Sequence, residues 1–178
     1  VFLLQSAGIV LQDAPKRYLR VKKAVEASEG EGAALKWALL EPYHGYRLSF
    51  EIEFNHPIFK RRAQRASMDF STTSFLKEIS RARTFGFMRD LETMRARNLA
   101  LGGNLDNAIV VDGNRILNEE GLRHGHEFVH HKALDALGDL YLTGHPIIGH
   151  FRGRCSSHAD TATLMIAQEI GRAHVCTP

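Results

Sequence analysis

The sequence predicts an α+β fold with a mixed or antiparallel β-sheet packed on helices, and three observations support this. Tyr46–Phe54 alternates Leu48, Phe50, Ile52 and Phe54 with polar residues, the period of a half-buried strand. Glu127–Leu142 repeats apolar residues at helical spacing, turning Phe128, Ala133, Leu134 and Leu137 toward a core. Around these two segments hairpin-linked strands alternate with helices, without internal repeats, heptads or low-complexity runs.

From the N-terminus, Lys16–Ala27 and Leu35–Pro42 are β-like runs joined by Ser28-Glu29-Gly30-Glu31-Gly32, a hairpin signal. The strand Tyr46–Phe54 stops at Asn55-His56-Pro57, because proline offers no N–H and forces the residue before it into extended geometry. Lys60, Arg61, Arg62 and Arg65 then read as a solvated basic turn. Ser71-Thr72-Thr73-Ser74 supplies hydroxyl caps for a helix through Phe75, Leu76, Ile79 and Ala82. Asp90–Asn98 is a short amphipathic helix that ends at Gly102-Gly103. Ala108–Asp112 is a strand that turns at Asp112-Gly113-Asn114 into a short strand, Arg115–Leu117. Beyond the long helix, Pro146–Phe151 is a strand, and a last helix begins near His158.

At 178 residues and 44% hydrophobic content, the chain can bury the core of one sizeable domain, or of a domain plus a remnant. A net charge of +3 suits an anionic small molecule as well as nucleic acid, so it decides neither. Two cysteines, Cys155 and Cys176, make no disulfide framework, which points to a reducing compartment. No apolar run approaches the ~20 residues that span a bilayer, and Val1-Phe2-Leu3-Leu4 lacks the basic start of a signal peptide. The chain opens without Met inside an apolar run and is expected to be a fragment. Glu169–Pro178 carries no helix or strand period; it is expected to derive from adapter or cloning DNA and is set aside from the fold prediction.

The chemistry-bearing feature is His131-Lys132-Ala133-Leu134-Asp135. A histidine and an aspartate four residues apart lie one above the other on a helix, so both can reach one metal ion, and Asp139 continues the stripe. His158, in CSSHAD, stands just past a strand. Spacing alone equally allows a surface ion-pair ladder, which is the commoner arrangement. A competing motif overlaps: His126-Glu127-Phe128-Val129-His130 matches H-E-x-x-H, in which two histidines bind zinc and the glutamate is general base. Its longer form would need Gly at 133 and His at 136, where this chain has Ala133 and Ala136.

Several separated stretches carry a resemblance: SMDFSTTSFLKEISRARTFGFMRDLE, GGNLDNAIVVD, LNEEGLR, EFVHHKALDALGDL and GHPIIG. In this order they closely resemble the UDP-3-O-acyl-N-acetylglucosamine deacetylases, the zinc enzymes of lipid A biosynthesis in Gram-negative bacteria. The resemblance runs from near the start to about His158. It implies the second domain of a two-domain α/β sandwich: residues 1–12 from the first domain, 13–168 the second, and a βαβ insert at about 84–112. It implies a cytoplasmic monomer acting on a UDP-linked acylated glucosamine, without nucleic acid as partner and without stable membrane insertion.

The resemblance also implies residue roles. His131 and Asp135 correspond to zinc ligands, while the third ligand, a His, and the general-base Glu belong to a segment outside this chain. His158 corresponds to a catalytic cation that stabilises the oxyanion, and Asp139 to the carboxylate paired with it. Thr84 corresponds to a hydroxyl donor to the oxyanion. Lys132 falls near the diphosphate, and Phe54 with Glu53 near the uridine. Phe85, Phe87, Met88, Leu91, Ala100, Leu105, Ala108 and Val110 fall along an acyl-chain tunnel. The chain departs from the family at Ser157, where a glycine usually precedes the histidine; a positive φ there would cost about 1 kcal/mol. Such a fragment is expected to be inactive alone, with the H-E-x-x-H metallopeptidase and a basic binding domain using Lys60, Arg61, Arg62 and Arg65 as the alternatives.

Overall fold

The computed structural model describes residues 2–10, 12–32, 35–71, 75–155, 161 and 173–176. In chain order the first half runs α1 (Phe2–Ser6), β1 (Tyr18–Val21), β2 (Val25–Glu29), β3 (Lys36–Glu41), β4 (Tyr46–Glu51), α2 (Pro57–Lys60) and β5 (Arg65–Asp69). A π-helical turn, Phe75–Ile79, leads to β6 (Thr84–Phe87), α3 (Met88–Ala96), β7 (Ala108–Asp112) and β8 (Arg115–Ile116). The long helix α4 (Glu127–Tyr141), β9 (Ile147–Arg154) and β10 (Ala173–Cys176) complete it.

The fold is α+β, with mixed pairing centred on β9. Along one side β9 runs parallel to β4; along the other it pairs in parallel with β1 at Ile147–Ile148 and then antiparallel with β3. Strand alternation buries Ile147, Gly149, Phe151 and Gly153 on one face of β9. Gly149 is there because β1 comes too close for anything larger: a Cβ would sit 2.6 Å from Cγ2 of Val21. Helix α4 covers the sheet, burying Phe128, Val129, Ala133, Ala136 and Leu140 in the core that also holds Leu48 and Phe50. No helix among the described residues is long and apolar enough to cross a membrane.

A second, smaller sheet is built on a βαβ unit: β6 and β7 pair in parallel, α3 connects them, and β8 adds antiparallel to β7. Its two faces differ in purpose. Ile109 and Val111 are buried, and Phe85 and Phe87 turn their rings to Phe59. Phe59, fully buried on α2, also packs at 4.5 Å from Phe54 and 4.4 Å from Phe128, ring centroid to centroid. This aromatic cluster joins the βαβ unit to the main sheet and to α4.

Several elements differ from expectation. Lys16–Ala27 is two strands, because β1 pairs with β9 while β2 pairs with β3; the run changes neighbours at Lys22–Ala24. Leu134 and Leu137 are only half-buried; Val129, Ala136 and Leu140 take the deepest helix positions beside Phe128 and Ala133. Pro57 starts the short helix α2, where its missing N–H is harmless and His56 Nδ1 accepts the Ile58 amide at 3.3 Å. β5 has no recognisable strand period in the sequence, because an edge strand needs only one buried residue, here Met68. Phe75–Ile79 is π-helical, and the caps at 72–74 and the helix expected near His158 lie outside the described residues. β10 pairs antiparallel with β1 although Ala173–Cys176 shows no strand period; an open edge accepts extended backbone largely regardless of side chains.

Candidate active site

Helix α4 carries the centre of the site. Its buried stripe fixes the roll of the helix, and that leaves His131, Asp135 and Asp139 half-buried along one flank. His131 Nε2 lies 3.5 Å from Asp135 Oδ1, and both side chains stay partly open, at 17% and 24% of their full exposure. Lys132 Nζ donates to the other oxygen, Asp135 Oδ2, at 2.8 Å. Lys132 is thus bonded to the aspartate of the stripe, holding its second oxygen while the first faces His131. Among the described residues no three His, Cys, Asp or Glu side chains converge on one point. His158, expected opposite Asp139, and Ser157 lie outside the described residues.

Strand β6 approaches this flank. Thr84, exposed, opens the strand opposite Ala108 of β7. The next residue, Phe85, sets its ring edge-on to His131 at 6.0 Å and to Phe128 at 5.0 Å. On the other side of Thr84, Arg83 is buried against Glu127, the first residue of α4. Glu127 Oε1 accepts the Arg83 amide at 3.1 Å and Nε at 2.9 Å, and Oε2 accepts the Arg123 amide at 2.6 Å. Arg83 donates further to Glu120 and to the Gly121 carbonyl. Burial pushes the Glu127 carboxyl up, but the Arg83 guanidinium and the two amides outweigh it and hold it below the usual carboxylate range.

That pairing decides the H-E-x-x-H motif. A general base must reach a substrate water, whereas Glu127 has no exposed surface and both its oxygens are taken. His126 and His130 stack on each other, with centroids 5.4 Å apart.

The other face of the βαβ unit borders an open cavity of about 570 Å³. Phe85, Met88, Leu91, Ala100, Leu105, Ala108 and Val110, the residues expected along an acyl-chain tunnel, all line it, and so does Thr84. Phe87 does not line it; its ring lies 5.3 Å from that of His56, with Arg89 over it at 4.9 Å. Gly86, Met94 and Leu117 also line it and were not anticipated, although Met94 continues the helical face of Met88 and Leu91.

Glu53 and Phe54 follow the end of β4. The half-buried Phe54 ring packs on Phe59 and edge-on to Phe85 at 5.6 Å. Glu53, exposed, binds Arg154 at 2.6 Å, and its amide donates to Cys155 Sγ at 3.1 Å. Cys155 leaves β9 with a φ of +49°, in the left-handed region that favours glycine. Glu53 therefore lies beside the end of β9, with Phe54 next to it in the chain. The basic residues Lys60, Arg61, Arg62 and Arg65 are exposed, and Arg65 pairs with Glu51.

Comparison with known proteins supplies a frame for these features. Residues 1–169 match the profile of the family described as UDP-3-O-acyl N-acetylglycosamine deacetylase. A UDP-3-O-acyl-N-acetylglucosamine deacetylase of Thioalkalivibrio sulfidiphilus is 60% identical over 172 residues, covering 95% of this chain and 55% of the relative. One from Marinobacter nauticus is 61% identical over 158 residues (89% and 51%), and one from Acidithiobacillus ferrooxidans 55% identical over 167 (94% and 54%). The chain spans about half the length of these relatives.

Proposed function

The chain belongs to the UDP-3-O-acyl N-acetylglycosamine deacetylase family, and we propose that it forms half of the active site of a zinc-dependent amide hydrolase. The substrate is UDP-3-O-(3-hydroxyacyl)-N-acetylglucosamine, and the products are the free amine and acetate. The observation that carries this reading is the pair His131 and Asp135, presented side by side on the flank of a helix within a chain matched to this family.

The donor set fits part of a zinc site: an imidazole nitrogen and a carboxylate oxygen on one flank, both partly open. His131 and Asp135 would hold the ion, with a third ligand from outside this chain. When bound, zinc supplies a Lewis acid that acidifies water and polarises the amide carbonyl. Lys132 keeps Asp135 oriented by binding Oδ2, and its cationic head attracts the substrate diphosphate. Thr84 donates its hydroxyl to the developing oxyanion, and His158, with Asp139 as the carboxylate assigned to it by the family resemblance, stabilises the same charge. The cavity of the βαβ unit takes the acyl chain, and Phe54 with Glu53 binds the uridine end.

The test joins this chain to the upstream half of the Thioalkalivibrio relative and measures acetate release and bound zinc. The fusion is expected to release acetate and the 178-residue chain alone to release none. In the fusion His131→Ala should abolish zinc retention and turnover, and His126→Ala should leave both intact. The opposite pattern would transfer the metal to the H-E-x-x-H pair and end this reading.

A further inference from the structure

Glu127 occupies the general-base position of the competing H-E-x-x-H motif, and the structure removes it from that role without leaving it idle. It is fully buried, and both its oxygens are used. Replacing a buried ion pair by apolar residues is often neutral or stabilising, so stability alone is a poor account of why one is kept here. What the pair delivers is geometry. Glu127 stands four residues before His131, on the same flank of α4. Its partner Arg83 directly precedes Thr84 and is bound through both its backbone amide and its side chain. Phe85, directly after Thr84, is packed on Phe128 and His131. Thr84 is therefore clamped on both sides to the same two turns of helix that present His131.

We propose that Glu127 is a positioning residue of the deacetylase reaction: through Arg83 it fixes where the Thr84 hydroxyl stands relative to His131. The inference rests on the deacetylase reading above. Arg83 extends the clamp by donating to Glu120 and to the Gly121 carbonyl, so the 118–123 loop is tied into the same body. A hydroxyl that serves a developing charge must be held to within a fraction of an ångström. The clamp meets that demand with four hydrogen bonds from Arg83 and Arg123 to Glu127, counting a longer one from Arg83 Nη2 at 3.3 Å.

The experiment uses the same fusion and compares Glu127→Gln, Thr84→Val, their combination, and the pair replacement Arg83→Met with Glu127→Leu. Melting curves and zinc content accompany kcat and KM. Glu127→Gln is expected to lower kcat roughly tenfold to a hundredfold, with KM and zinc content little changed. In the Thr84→Val background the same change should cost less than about twofold more, because its effect passes through that hydroxyl. The apolar pair replacement avoids a stranded buried charge, and should melt cooperatively yet show the same loss of kcat. A cooperatively melting Arg83→Met/Glu127→Leu protein with the parent's kcat would overturn the proposal, as would losses that multiply independently of Thr84. An unsubstituted fusion that retains zinc but releases no acetate would instead sink the deacetylase reading itself, and this inference with it.

Discussion

Asp69 shows how far a surface pair can reach. The Arg47 guanidinium and the Tyr43 hydroxyl donate to its carboxylate, at 2.7 Å for the closest contact of each, and hold its pKa down to about 2 from 3.8. A lowered folded-state pKa means the stabilisation is fully present above the ordinary value and is lost as pH falls toward about 2. The gap in urea midpoint between the parent and Asp69→Asn should therefore be constant at neutral pH and close between about pH 4 and about pH 2. No gap at neutral pH would show that the pair contributes nothing, and a gap that persists at the acid end would show that it does not come from the ionised carboxylate. At this scale the sequence was legible where partners are local. His131 and Asp135 are four residues apart on a strongly periodic helix, so their meeting could be read directly. Arg83 and Glu127 are far apart in the chain and meet only because β6 docks on α4, so no local pattern could announce the pair. It was the local H-E-x-x-H spacing that gave Glu127 the look of a catalytic base.

Among the elements, β9 sets the architecture, and Gly149 is its tightest point. An alanine there places its Cβ 2.6 Å from Val21 Cγ2 and 3.2 Å from the Glu41 carbonyl oxygen. Gly149→Ala should cost about 1–3 kcal/mol in urea unfolding, the usual range for overpacking. Val21→Ala in the same chain should recover part of that, because the nearest clashing atom is gone. If the double variant is no more stable than Gly149→Ala alone, the contact is not the constraint. Strong periodicity made α4, β4 and β7 legible. β5 was not, since one buried methionine on an edge leaves almost no pattern, and β10 draws its pairing from the open edge of β1. The switch of neighbours between β1 and β2 was also hidden, because a run of β-forming residues does not say which strand it joins.

At the scale of the whole molecule, the βαβ unit adds a walled space to a site that the main sheet and α4 would otherwise leave open. Most of its apolar lining was legible residue by residue once the family resemblance was in hand, but Phe87 shares a strand face with Phe85, so alternation could not separate them; only packing shows the Phe87 ring beside His56 and away from the cavity. Gly86 offers the cleanest test of what the space is for. It lines the cavity, its φ lies outside the left-handed region, and a Cβ built there meets nothing within 4 Å. Gly86→Phe should therefore fold at least as well as the parent, since a β-forming residue replaces glycine in a strand and the ring enters empty space. In the fusion with the upstream half of a relative, it should occupy volume that an acyl chain needs. Excluding two methylenes, at about 0.8 kcal/mol each, corresponds to a loss of roughly tenfold in kcat/KM for a long 3-hydroxyacyl substrate. A short-chain substrate should be turned over nearly as well as by the parent. Equal losses on both substrates would mean that the ring disturbs Thr84 rather than the acyl site. Unchanged kinetics on both, with a raised melting temperature, would mean that the acyl chain lies elsewhere.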